Sequence, residues 1–165
     1  MSYCVVIRGP LGVGKTTVSK RLSARIAAEY ISIDRILDED GLWEAGHLSE
    51  FLRANEIAAA RAEPMLAKRT PVVFDGNFYW KSQIEDLVGR FRYPHFVFTL
   101  KAPLRVCIER DARRPKPHGI EAAKEVYAKS TRFEYGIGLD ATCPIPSILR
   151  KITSRLFDHP TPKRA

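Results

Sequence analysis

The chain has 165 residues, 45% apolar and 28% charged, which is ordinary for one soluble globular domain with a full-sized core. No apolar run approaches the ~20 residues that span a bilayer, so membrane-embedded roles are excluded. The net charge of +8 is localised: residues 101–118 hold six basic side chains against two acidic, and residues 150–165 hold five against Asp158. Such a confined field suits a polyanion, either a nucleotide or a phosphate-bearing acceptor. No aromatic interleaving accompanies the basic residues, so nucleic acid is not the favoured partner. Cys4, Cys107 and Cys143 form no C-x-x-C pair and read as buried thiols in a reducing cytosol, not as a disulfide framework or metal site. The N-terminus runs straight into the first predicted strand, so no signal peptide and a cytoplasmic location are expected. A single domain over 1–158 and a solvated tail over 159–165 complete the expected organisation.

The first predicted element is a buried strand, Cys4-Val5-Val6-Ile7. Gly9-Pro10-Leu11-Gly12-Val13-Gly14-Lys15-Thr16 follows and fits G-x-x-x-x-G-K-[ST]; apolar residues at 18, 22 and 26 then predict a helix. Strand, glycine loop and helix together wrap a polyphosphate with backbone N–H groups and a helix N-terminus. The chain is therefore expected to bind ATP through Gly9, Leu11, Gly12, Val13, Gly14, Lys15, Thr16 and Thr17. Lys15 would reach the β- and γ-phosphates, and the Thr16 hydroxyl would hold Mg²⁺.

The helix should end near Glu29, with a second strand over 30–33 and Asp34 at its carboxyl end. In open α/β sheets ligands bind outside those ends, so Asp34 is a candidate for contacting the acceptor or magnesium. Its alternative role is to cap the next helix. Residues 35–46, with Gly41, Trp43 and Gly46, read as a short mobile helix and loop. Ser49 is placed to cap a helix from about 50 to 69, which Pro64 should kink or split. Arg53, Asn55 and Arg61 on it either hold an acceptor or solvate a face. Pro71-Val72-Val73-Phe74-Asp75 is the third strand. Its terminal carboxylate is expected to hold Mg²⁺, the Walker B arrangement, with plain turn chemistry as the alternative. Asn77, Phe78 and Tyr79 would line the cleft beyond.

A helix over 82–90 leads to a fourth strand, 95–100. Pro103 falls in the first turn of the next helix. Prolines 115 and 117 and Gly119 break that helix after Arg110-Asp111-Ala112-Arg113-Arg114. An arginine-rich break after the fourth strand suits a phosphate-clamping lid over about 110–120, with Arg110 and Arg114 as catalytic cations and Arg113 beside them. A solvated basic loop is the alternative, and His118 reads as a surface histidine. A helix from 120 to about 133, a strand over 135–140, a loop 141–146 and a helix over 147–157 close the domain. Residues 142–144 are candidates for the adenine contact.

Together these pieces resemble the small P-loop kinases: adenylylsulfate, gluconate and shikimate kinases, chloramphenicol phosphotransferase and polynucleotide kinase. The likeness rests on the loop at 9–16, Ile33-Asp34, Val73-Phe74-Asp75-Gly76, and 102–111 (Ala102-Pro103-Leu104 through Cys107 to Arg110-Asp111), which looks most like adenylylsulfate kinase. It implies a three-layer α/β/α P-loop NTPase fold, a five-stranded parallel sheet of order 2-3-1-4-5 and an Arg-rich lid. It also implies that Asp34 sits where several of these kinases keep the carboxylate that accepts the acceptor's hydroxyl proton. The sequence departs from adenylylsulfate kinase after the Arg-Asp pair, where Ala112-Arg113-Arg114-Pro115 replaces Lys-Gly-Leu-Tyr.

Three functions compete. The first is transfer of the γ-phosphoryl of Mg·ATP to a small anionic or hydroxyl-bearing metabolite or nucleotide. Lys15, Asp34, Arg110 and Arg114 would be catalytic, and Thr16 and Asp75 would hold the metal. The second is a polynucleotide 5′-hydroxyl kinase. The third is an ATP-binding regulatory module with low ATPase activity.

Overall fold

A computed structural model describes residues 1–43 and 46–157; the expected tail over 159–165 lies outside the described residues. Five strands form one sheet, all paired in parallel, in the order β2-β3-β1-β4-β5. They are β1 (Cys4–Arg8), β2 (Glu29–Ser32), β3 (Val72–Gly76), β4 (His95–Lys101) and β5 (Ile137–Asp140). The helices are α1 (Lys15–Ile26), α2 (Ile33–Glu39), α3 (Leu48–Ala67), α4 (Lys81–Gly89), α5 (Leu104–Ala112), α6 (Ile120–Ser130) and α7 (Ile145–Phe157). The expected sheet order is the one observed.

Every residue of β1 and β3 is buried, as expected of parallel strands covered on both faces. Side chains alternate between two cores. Cys4, Val6, Val72 and Phe74 face one core with Phe51, Ala58 and Leu66 of α3 and Ile84 and Leu87 of α4. Val5, Ile7, Val73 and Phe98 face the other with Val18 and Leu22 of α1 and Ile148 and Ile152 of α7. The three-layer arrangement follows. Cys4 and Cys107 are free and buried as expected, whereas Cys143 is free but only partly buried, because it sits on the loop after β5; no helix among the described residues is long and apolar enough to cross a membrane.

Several expected boundaries shift for local reasons. The second strand ends at Ser32, whose hydroxyl accepts a hydrogen bond from the Arg35 N–H at 3.2 Å and so caps α2. Asp34 is therefore not the cap. His47, not Ser49, precedes α3, because the Glu50 carboxylate reaches back to the His47 N–H at 3.0 Å. Helix α3 runs through Pro64 as one element. The missing N–H falls near the C-terminal end, and the buried face of Ala54, Ala58, Ala62 and Leu66 continues across it. Helix α6 stops at Ser130, where a buried guanidinium takes its carbonyl. Strand β5 starts at Ile137 because Gly136 turns with φ +68°, where a Cβ would lie 2.2 Å from the Val97 carbonyl oxygen.

Candidate active site

The carboxyl ends of β1, β2 and β3 bring the glycine loop, Asp34 and Asp75 to one edge of the sheet. Helix α5 lies directly over the loop: Gly12 has φ +81°, and a Cβ there would sit 2.2 Å from the Cys107 carbonyl oxygen. Only glycine fits that approach. Gly14 then caps α1 with no side-chain bond to its first turn, so those N–H groups remain available to an anion. Lys15 is buried, and its Nζ donates to the Pro10 carbonyl oxygen at 3.0 Å. Burial lowers its pKa, while the Asp34 and Asp75 carboxylates act to raise it and Arg114 to lower it. Thr16 and Thr17 are exposed beside it.

Asp34 lies in the first turn of α2, and its Oδ1 accepts the Asn77 N–H at 3.3 Å. Burial pushes its pKa up to about 6; Lys15 opposes that rise, and the Asp75 charge adds to it. Asp75 is 1% exposed. Its Oδ2 accepts the Tyr30 hydroxyl at 2.7 Å. Beyond β3, Asn77 Nδ2 donates to the Tyr79 hydroxyl oxygen at 3.1 Å. Burial first, then the Asp34 charge, raises the Tyr79 pKa, so Asn77, Tyr79 and Asp34 are neighbours. Phe78, expected beside them, packs its ring in the hydrophobic core. It is buried with φ +52°, a strained backbone for a bulky residue.

That strain is held by Arg8, a wholly buried residue at the end of β1. Its guanidinium donates to Thr99 Oγ1 at 3.2 Å, to the Phe78 carbonyl at 3.3 Å and to the Ser130 carbonyl at 2.6 Å. It also lies 4.4 Å from the Phe133 ring centroid. Arg8 thus ties the loop after β3 to the end of α6. Sequence reading missed it, since one arginine at a strand end carries no spacing signal.

On the other side, a cleft of about 370 Å³ is lined by Gly12, Val13, Thr17, Arg110, Ala141 and Cys143, among others. Arg110, in the last turn of α5, donates to the Val13 carbonyl at 2.9 Å and to the Ala141 carbonyl at 2.8 Å. It therefore clamps the glycine loop to the loop after β5. Of residues 142–144, Cys143 lines the cleft, whereas the Thr142 hydroxyl is held by Asp140 at 2.6 Å. Arg113 and Arg114 fall on the α5–α6 connection, and Arg114 also lines this cleft. Asp111 organises that connection. Its buried carboxylate accepts the N–H groups of His118 (2.9 Å) and Gly119 (3.0 Å) and pairs with His118 Nδ1 at 3.0 Å. Burial acts to raise its pKa, but these hydrogen bonds prevail and lower it.

The α3 candidates lie elsewhere. Arg53 pairs with Glu56, Arg61 with Glu39, and Asn55 joins α3 to α4 through the Gln83 carbonyl and Asp86. Among the described residues no group of three or more His, Cys, Asp and Glu side chains could hold a metal by itself. The Thr16 hydroxyl and Asp75 carboxylate are hard oxygen donors of the kind Mg²⁺ takes with waters and substrate phosphates. The residues fit that ion.

The AAA domain family model (AAA_33) matches residues 4–134. A putative adenylate kinase of Thermococcus gammatolerans is 31% identical over 90 residues, covering 38% of this chain and 51% of that protein. The chain thus spans about half the length of the curated relatives it matches. Among solved structures, a gluconokinase from Sinorhizobium meliloti superimposes with TM-score 0.74 at 18% identity, over 94% of this chain and 93% of that one. The Mycobacterium tuberculosis APS kinase superimposes with TM-score 0.76 at 14% identity, over 94% and 97%. At such identities the likeness establishes the fold. The chain belongs to the AAA domain family, and its fold is that of the P-loop kinases.

Proposed function

We propose that the protein transfers the γ-phosphoryl group of Mg·ATP to a hydroxyl of a small metabolite or nucleotide. One observation carries this reading: Asp34, freed from capping by Ser32, lies in the first turn of α2 beside Lys15 and Asp75, where burial raises its pKa to about 6. A general base works best with a pKa near the operating pH. A carboxylate that only filled space there would carry the cost of burial without a use.

The glycine loop and the α1 N-terminus bind the polyphosphate, and Lys15 exchanges the Pro10 carbonyl for the β- and γ-phosphates. Magnesium, held by Thr16 and Asp75, would supply charge neutralisation at those phosphates. Asp34 takes the proton of the acceptor hydroxyl as its oxygen bonds to the γ-phosphorus and the bridging oxygen leaves with ADP. Asn77 and Tyr79 orient the acceptor. Arg114 brings positive charge to the transferring group from the lid at 110–120, while Arg110, expected as a second catalytic cation, spends its guanidinium on the Val13 and Ala141 carbonyls and so fixes the cleft where the adenine would sit. The free thiols support a cytoplasmic setting.

The test is a coupled ADP-release assay with Mg·ATP. Pooled acceptors would span nucleosides, nucleotides, adenylylsulfate, sugars and a 5′-hydroxyl oligonucleotide, with Lys15→Ala as blank. A Lys15-dependent rise with one small-molecule pool is expected. A rise with the oligonucleotide alone replaces the small acceptor with a polynucleotide end. Slow release that no pool changes refutes the transferase reading in favour of a regulatory ATPase.

A further inference from the structure

We infer that Tyr30 is a positioning residue for Asp75, holding that carboxylate in the orientation from which it serves the metal. The inference rests on the magnesium role proposed for Asp75. Its geometry comes from strand register. β2 pairs with β3 so that Tyr30 lies opposite Val73 and Ser32 opposite Asp75. Tyr30 and Asp75 are thus diagonal neighbours on one face, a separation that an aromatic side chain spans. The hydroxyl donates to Asp75 Oδ2 at 2.7 Å and, among the described residues, is the only hydrogen-bond donor to that carboxylate.

Asp75 is 1% exposed, and a buried carboxylate needs a partner. The kind of partner matters. A lysine or arginine would cancel the charge that a cation requires, and Lys15 instead donates to the Pro10 carbonyl. A phenol donates one hydrogen bond, engages one oxygen and leaves the negative charge and Oδ1 in place. The Thr16 hydroxyl also acts on the Tyr30 phenol, so Tyr30 lies beside both groups proposed to hold the ion. The tyrosine itself is half-buried on the edge strand, with Lys20 Nζ 5.7 Å from its ring centroid. Tyr30 also borders a groove of about 430 Å³ with Ser32, Arg35, Glu39 and Arg61. Outer partners of metal ligands typically tune metal affinity by about 10–100-fold.

Tyr30→Phe removes only the hydroxyl and keeps the ring; melting curves check the fold. Calorimetric titration with ATP, in Mg²⁺ and in EDTA, is made on the wild type, Tyr30→Phe, Asp75→Asn and the double variant. The wild type is expected to gain affinity from Mg²⁺. Tyr30→Phe should cut that gain by about tenfold with metal-free affinity unchanged. The double variant should then match Asp75→Asn, because the phenol acts through that carboxylate. A full gain in Tyr30→Phe overturns the inference. So does an equal fall with and without metal, or a tenfold loss added on top of Asp75→Asn. A wild type whose ATP affinity ignores Mg²⁺ refutes the magnesium role itself, and is thereby distinguished from failure of Tyr30 alone.

Discussion

Replacing Asp34 with Asn should stabilise the protein while disabling it. The native carboxyl has its pKa raised from 3.8 to about 6, first by burial and then by the Asp75 charge. Below about pH 4 the carboxyl is protonated in both folded and unfolded chains, and Asp34 contributes nothing. Between about 4 and 6 the unfolded chain ionises first, so stability falls as pH rises. Above that window the full cost is present, at most about 3 kcal/mol at 1.36 kcal/mol per unit of pKa. Asn keeps an oxygen for the Asn77 N–H and carries no charge. Its advantage should therefore grow from about zero at pH 4 to a plateau above pH 7, where Tm rises by roughly 2–4 °C per kcal/mol recovered. Thermal melts of both proteins from pH 4 to 8 measure this without any acceptor. Loss of a general base should meanwhile slow phosphoryl transfer by about 10²–10⁴-fold with ATP binding retained. A variant no more stable than wild type at pH 8, or a difference that does not change with pH, refutes the raised carboxyl. Normal turnover removes Asp34 from the mechanism.

Gly12→Ala places a Cβ 2.2 Å from the Cys107 carbonyl oxygen; strain of at least about 2 kcal/mol should lower Tm and abolish ATP binding in a fluorescent-nucleotide titration. Arg8→Met removes three hydrogen bonds from the buried guanidinium and should cost roughly 2–4 kcal/mol in a urea melt, with Arg8→Lys restoring only part because its single nitrogen cannot stand at the two positions that the guanidinium nitrogens occupy. Asp111→Ala frees the turn at His118 and Gly119 and should speed tryptic cleavage after Arg113 by roughly tenfold. Because the Asp111 pKa is lowered in the folded state, its contribution is present above about pH 4 and is lost as pH falls further. That is the opposite sign to Asp34, so the two pH profiles separate the loop from the site.

The proposed phosphate-donor half of the site was legible as a structural unit because its signals are contiguous. One segment from Cys4 to Thr17 carries strand, glycine loop and helix, and the steric demand at Gly12 is met within it. Asp75 was legible for the same reason: a buried run ending in a carboxylate can be seen without knowing its neighbours. The sheet order followed from the family likeness. Tyr30, Arg8 and Asp111 were not legible. Tyr30 reaches Asp75 only through the β2–β3 register, across 45 residues of sequence. The acceptors of Arg8 lie on three separate segments. Asp111 reads as half of a charged pair until His118 and Gly119 fold back onto it.

The proposed acceptor half turns on a competition between neighbours. Ser32 and Asp34 both stand where a helix begins, and either type caps well. Because β2 ends at Ser32, the serine takes the Arg35 N–H, and Asp34 moves into the first turn of α2. There its partner is a single backbone N–H from Asn77, too few donors to offset burial near another carboxylate. Had the strand run two residues further, Asp34 would cap the helix with its charge stabilised and its pKa low, unsuited to accept a proton at neutral pH. The register that gives Tyr30 to Asp75 also pairs Ser32 with Asp75, so one strand pairing sets both the partner of the proposed metal carboxylate and the basicity of the proposed catalytic one. A shift of that pairing would impair both together, which ties the chemistry of this site to the edge strand of the sheet.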